Sequence, residues 1–190
     1  MAATPPTAAS KPAPSSVLPG VVLGLGGNID DDATILHRFS AARLAVSGWG
    51  EVRLSRVYRS AGVGVGSPMP DFLNAAIHIR VAPQLTPARL ITMVLQLEQR
   101  LGRTRAVNVR YAPRTIDIDV LLWGDRVVEE VGPPALHVPH PHLHQRRFAL
   151  RPCIDLLGRD ALVPGTAATL GAFDDALGND QSVVELVAGF

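Results

Sequence analysis

Between Val21 and Leu122 the apolar residues change period along the chain, and the order of those changes limits the fold more than any other feature. Val21-Val22-Leu23-Gly24-Leu25 predicts a strand running into Gly26-Gly27-Asn28. Asp30 to Asp32 offer N-caps for a helix with Ile35, Phe39, Ala42 and Val46 on one face and Gly48 as its stop. Glu51 to Tyr58 predicts a second strand, Ser60 to Pro70 a loop rich in glycine and proline, and Phe72 to Val81 a third strand. In that strand Ile77, Ile79 and Val81 point to a core, while His78 and Arg80 point away. Thr86-Pro87 starts a helix whose buried stripe is Leu90, Val94, Leu97 and Leu101, ended by Gly102. Ile116, Ile118, Val120 and Leu122 alternate as a fourth strand, and Gly124-Asp125 predicts a two-residue hairpin turn into Arg126-Val127-Val128. The order β-α-β-β-α-β is that of an α+β, ferredoxin-like plait, an antiparallel sheet with helices on one face. Here it is followed by a hairpin and by C-terminal helical segments near Arg146 to Leu150 and Leu170 to Leu177.

The flanks read differently. Met1 to Ser16 is rich in Ala, Pro, Ser and Thr and has no apolar segment of a secretory signal. The expected organisation is a disordered leader over 1–18, one domain carrying the chemistry over 19–160 and a C-terminal extension over 161–190. With 47% apolar residues, 18% charged residues and a net charge of +1, the chain is neither wholly disordered nor a polycation. No apolar run approaches the roughly 18 residues of a spanning helix, so no membrane partner is expected. The lone Cys153 has no disulfide partner, which suits a cytoplasmic, reducing location.

The charge is unevenly placed. Arg100, Arg103, Arg105, Arg110 and Arg114 fall in one stretch without an acid, leaving 13 basic residues against 17 acidic ones elsewhere. A concentrated basic stretch in a near-neutral chain points to a small anionic ligand rather than a long polyanion. Directly downstream, Asp117 and Asp119 stand two apart in a strand, which puts both carboxylates on one face with Cα atoms about 6.5–7 Å apart. Paired carboxylates suit Mg2+, which takes a few of them plus phosphate oxygens, and arginines supply the complementary grip on phosphate. A solvated polar strand face beside an arginine-rich loop is the plain alternative. Phe72 and Asn74 share the strand face opposite Ile77 and Ile79, a stacking surface with an edge hydrogen bond for a flat heteroaromatic ring. His137, His140, His142 and His144 match no structural zinc spacing. From the residues alone, another metal-dependent phosphoryl-transfer enzyme or hydrolase stays open. So does a ferredoxin-like RNA-binding module, although aromatics are only 5% and no basic-glycine-aromatic run is present.

The stretch Arg110-Tyr111-Ala112-Pro113-Arg114-Thr115-Ile116-Asp117-Ile118-Asp119-Val120-Leu121 resembles the signature of the 6-hydroxymethyl-7,8-dihydropterin pyrophosphokinases of folate biosynthesis. The resemblance runs from about Val21 to Leu157. It includes Gly26-Gly27-Asn28 (where the family has Gly-Ser-Asn), Ser55 to Ser60, Asp71 to Ala76, Glu98 with Gly102-Arg103-x-Arg105, and Val138-Pro139-His140-Pro141 followed by Arg146-x-Phe148. It implies transfer of the terminal diphosphate of ATP to the pterin hydroxymethyl group with release of AMP; a monomer without nucleic-acid partners is expected. Carried over, Asp117 and Asp119 would hold two Mg2+ ions. Arg103, Arg105 and Arg114 would hold phosphates during transfer, and His140, Arg146 and Glu98 would serve the nucleotide, Glu98 from behind the site. Phe72 and Phe148 would sandwich the pterin, with Asn74, Asn28, Asp117 and the backbone of Ser60 and Val63 around its edge. Ala106 stands where some relatives have lysine, and Tyr111 where some have tryptophan. Ser60-Ala61-Gly62 replaces a threonine and prolines. The arginine loop, with no acid of its own, is expected to be exposed in the free enzyme and to close over bound substrates.

Overall fold

The computed structural model describes residues 20–62, 69–103, 113–178, 181–186 and 190. Its elements are β1 (Val21–Gly27), α1 (Asp32–Ser47), β2 (Gly50–Leu54), β3 (Val57–Gly62), β4 (Met69–Val81), α2 (Pro87–Arg100) and β5 (Asp117–Trp123). They continue with β6 (Val128–Glu130), β7 (Leu136–Val138), α3 (Arg147–Leu157), α4 (Leu170–Ala176) and β8 (Val183–Leu186). The main sheet is antiparallel in the order β5-β1-β4-β3-β8, with β2 also on β4. Its first strands carry the expected plait.

Local signals start and stop the helices as expected. Asp31 caps α1 by accepting the Thr34 N–H at 2.7 Å, and Thr86 caps α2 with Pro87 at the first helical position. Ile35, Phe39, Ala42 and Val46 are buried, as are Leu90, Val94 and Leu97. Together with Leu23, Leu25, Leu73, Ile77 and Ile79 they form the core between α1, α2 and one face of the sheet.

Several expectations change. The single strand expected over 51–58 is two, because Ser55 and Arg56 interrupt it. The Ser55 hydroxyl accepts the Ala76 N–H (2.8 Å), while the Arg56 N–H leaves the sheet for Asp155 (3.1 Å). The loop expected over 60–70 is narrower, since β3 reaches Gly62 and β4 begins at Met69. The hairpin forms elsewhere: Gly124 and Asp125 turn the chain, but β6 pairs with β7 and not with β5. Finally, the second face of the sheet also gains helices. Val22, Ala76, Leu121 and Leu122 pack with Leu150, Cys153, Leu156 and Leu170 of α3 and α4. Leu121 and Leu122 share that face because the β1–β5 register shifts at Val22/Leu23, a bulge that the strict alternation expected for this strand does not contain. His78 is likewise buried rather than exposed.

Candidate active site

Beside α3, on the sheet face away from α1 and α2, lies a cleft of about 240 Å³. Its floor and walls come from Gly24 and Gly26 of β1, Ser60 of β3, Phe72 and Asn74 of β4, Asp117, Asp119 and Leu121 of β5, Arg114, and Arg146 and Phe148 at the start of α3. Eight of the residues picked from the sequence therefore meet in one place: Ser60, Phe72, Asn74, Arg114, Asp117, Asp119, Arg146 and Phe148. The strand period explains most of it, since residues two apart on β4 and on β5 share the face that α3 leaves open. A Cβ on Gly26 would stand 3.8 Å from Asn74 Oδ1 and 4.0 Å from Asp117 Cβ, inside the space between the two ends of the cleft.

One end is flat and neutral. Asn74 is buried, and its Nδ2 donates to Ser60 Oγ at 2.9 Å and to the carbonyls of Tyr58 and Phe72 at 3.4 Å each. The amide plane is therefore held by β3 and by its own strand. The Arg146 guanidinium lies 5.8 Å from the centroid of the Phe148 ring, joining this end to the charged one.

The other end is a knot of charge. Asp117 accepts from Arg103 on one oxygen and from Arg114 on the other. Arg103 also donates to Glu98, which is buried in α2 and accepts the Ile118 N–H at 2.8 Å. Arg103, at the start of the arginine loop, is thus paired and only 15% exposed, against the expectation for that residue, while residues 104–112 of the loop lie outside the described residues. The acid comes from outside the loop, where a search for acids within it does not look. Glu98 stands one residue after Leu97 and four after Val94, an acid set into an apolar stripe, and that is the signal that marks it. Burial holds the Arg114 pKa below its ordinary value, and the neighbouring Arg103 charge acts in the same direction while Asp119 and Glu98 oppose it. Burial likewise lowers His140, with Asp119 opposing and Arg146, His142 and His137 adding to the effect.

Four predicted residues are not on the cleft wall: Asn28, Glu98, Arg103 and His140. Asn28 is buried and clamps backbone. Its Oδ1 accepts the Arg114 N–H (2.8 Å), its own N–H donates to the Arg114 carbonyl (3.1 Å), and its Nδ2 donates to the Pro70 carbonyl (3.3 Å). It ties Arg114 to the end of β1. His140 is tied to β5 through its N–H to the Leu121 carbonyl (2.9 Å). Val63, Arg105, Ala106 and Tyr111 lie outside the described residues.

The sequence profile of the 7,8-dihydro-6-hydroxymethylpterin-pyrophosphokinase (HPPK) family matches residues 22–158. This chain belongs to that family. It is 36% identical over 137 residues to the 2-amino-4-hydroxy-6-hydroxymethyldihydropteridine pyrophosphokinase of Synechocystis, covering 72% of this chain and 66% of that protein. To the Bacillus subtilis protein of the same name it is 34% identical over 134 residues, covering 70% and 75%. In fold it is similar to the solved Plasmodium falciparum HPPK-DHPS with pteroate, at a TM-score of 0.61 and 11% identity, over 82% of this chain and 44% of that one. The chain thus spans about two thirds of the Synechocystis relative and less than half of the two-function Plasmodium chain.

One departure from the HPPK pattern has a local reason. A Cβ at Gly27 would press on the Thr115 carbonyl at 3.0 Å and on Ile35 Cγ2 at 3.2 Å, so the strand end is packed for glycine where the family has serine.

Proposed function

We propose that this chain transfers the terminal diphosphate of ATP to the hydroxymethyl group of 6-hydroxymethyl-7,8-dihydropterin. The hydroxymethyl oxygen forms a bond to the β-phosphorus, the bond from that phosphorus to the α–β bridging oxygen breaks, AMP leaves, and the alcohol proton goes to solvent. The observation that carries the reading is that a flat neutral end and a cationic-acidic end share one cleft. Phe72 and Phe148 would hold the ring between them. The Asn74 amide, its Nδ2 already engaged, would offer Oδ1 to a ring-edge N–H. Arg114 and Arg146 would take phosphate oxygens, and Arg103 would join them by leaving Asp117 and Glu98.

Two carboxylates on alternate residues of one strand, open to a cleft that also holds arginines, form a donor set that fits a hard divalent cation. Asp117 and Asp119 would hold Mg2+, two ions on the family pattern, and bound metal supplies neutralisation of phosphate charge. Asp117 then has to give up its arginines, whose charge the phosphates of ATP would take over. With positioning and charge neutralisation doing most of the work, no strong general base is required of the chain. We read the protein as a cytoplasmic monomer acting on these two small molecules.

The direct test is AMP formation from ATP and 6-hydroxymethyl-7,8-dihydropterin in the presence of Mg2+, and its absence overturns the proposal. Within the cleft, Asn74→Ala should weaken pterin binding by about 1–3 kcal/mol, the cost of an unpaired buried polar edge, and leave nucleotide binding nearly unchanged. Phe72→Ala should act in the same direction. Equal losses for pterin and for α,β-methylene-ATP would remove these residues from the pterin end.

A further inference from the structure

Arg146 and Phe148 stand on the cleft wall, yet the turn that carries them has no cap of its own. Arg146 occupies the N-cap position of α3 in extended backbone (φ −133°, ψ 99°), and its side chain makes no capping hydrogen bond. Its own backbone bonds are the Arg146 N–H to the Leu143 carbonyl (3.3 Å) and the Arg146 carbonyl accepting from Ala149 and Leu150 (3.0 Å each), and further bonds come from Gln181, beyond α4. The Gln181 carboxamide accepts the Arg147 N–H through Oε1 at 2.9 Å and donates through Nε2 to the Gln145 carbonyl at 2.7 Å. The two bonds bracket Arg146 on either side, as a neighbouring strand would. Arg147 lies behind the wall, 9% exposed. Its guanidinium donates to the Gln181 carbonyl (3.0 Å), the Asp174 carbonyl (2.8 Å) and the Asp174 carboxylate (3.0 Å). The segment is thus gripped through backbone and side chain from one direction, while the Arg146 guanidinium is left to the cleft.

We propose that Gln181 is a positioning residue for the site. Its carboxamide sets the backbone of Arg146 so that the guanidinium is presented to the nucleotide from beside the Phe148 ring. The inference rests on the reading of Arg146 as a nucleotide contact. The physical reason is preorganisation: an arginine on a fixed backbone loses less conformational freedom when it takes a phosphate than one on a loose turn. Replacing Gln181 by the near-isosteric methionine keeps the volume and removes both bonds.

Calorimetric titration of the full chain with Mg2+ and α,β-methylene-ATP separates the affinity of folded molecules from the fraction that is folded. Arg146→Ala should raise the nucleotide Kd by about tenfold, and Gln181→Met by about fivefold at unchanged stoichiometry, the size expected for lost preorganisation. Gln181→Met placed in the Arg146→Ala background should add less than about a twofold change, since its effect runs through that side chain. Gln181→Glu, which keeps the acceptor for the Arg147 N–H and loses the donor to Gln145, should lie between wild type and methionine, and it carries the comparison if the methionine variant does not fold. An unchanged Kd for the Gln181 variants beside a weakened Arg146→Ala overturns the inference. So does a fall in stoichiometry alone, or the same weakening in both backgrounds. If Arg146→Ala itself binds normally, the nucleotide reading of Arg146 fails and the inference fails with it, an outcome that the single variant identifies.

Discussion

Asp117 and Asp174 each gather arginines, in different surroundings. Asp117 faces the cleft from β5 and meets Arg103 and Arg114, one on each oxygen and side chain to side chain. Asp174 sits in α4 with its side chain 2% exposed and receives Arg147, Arg151 and Arg159. Arg147 is also tied to the backbone at Asp174 and Gln181. A side-chain knot on a cleft wall can be exchanged, the arginines passing to phosphate and the carboxylate to a cation, with little change in total charge. In the Asp174 knot the carboxylate and Arg147 are buried and stitched to backbone, so that pair opens only when α3 and α4 separate. The same ionic chemistry thus serves turnover in one place and rigidity in the other.

The largest effect expected from this contrast is on catalysis. Asp117→Ala should lower AMP formation by about 10³-fold, the range seen when a group that orders transition-state charge is lost. Sequence spacing alone suggests that truncation would relieve repulsion between Asp117 and Asp119. The observed pairing reverses that, because Arg103 and Arg114 lose their shared counter-charge, so a lower unfolding midpoint in urea is expected as well. Full activity of this variant at saturating Mg2+ would remove Asp117 from the exchangeable knot. Second in size, Asp174→Ala should cost about 3 kcal/mol of stability, because it leaves the buried Arg147 without its carboxylate. If urea unfolding showed less than about 1 kcal/mol, the two knots would no longer be distinct.

Acid titration sharpens the comparison further. Burial by itself would raise the Asp174 pKa, but its hydrogen bond to Arg147 and the charges of Arg151 and Arg159 outweigh burial and hold it below the usual carboxylate value. A depressed folded-state value gives stability that is fully present above the unfolded pKa of about 3.9 and is lost as the pH falls through the folded value. The stability gap between wild type and Asp174→Asn should therefore be constant near neutrality and narrow below about pH 4, and a gap independent of pH would contradict the charged pairing. The smallest effect belongs to Arg151→Met. This arginine is 42% exposed, and its loss should cost below about 1 kcal/mol and leave AMP formation unchanged.

Much of this could be read along the chain. The helix starts at Asp31 and Thr86 and the buried stripes of α1 and α2 follow from caps and periods that act over a few residues. The pairing of Asp117 with Asp119, and of Phe72 with Asn74, follows from the period of a strand. Asn28 could be picked out in the sequence, but its backbone contacts could not. A carboxamide carries no sign of whether it will meet a ligand or the backbone of a residue 86 positions away.

By itself, then, the sequence determined the order of elements, the caps, the faces of the strands and the residue types at the cleft, because these depend on neighbours within a turn or a strand repeat. Only the tertiary structure decided the rest. It broke the second strand at Ser55 to send Arg56 to Asp155, and shifted the β5 register so that Leu121 and Leu122 share a face. It gave Arg103 a carboxylate from α2, and brought Gln181 behind Arg146 across 34 residues of intervening chain. Apart from Arg103 with Glu98, five residues away, each of these is a pairing between groups far apart in sequence. Buried charge and unsatisfied backbone select such partners by where the packing places them, and no local period records that.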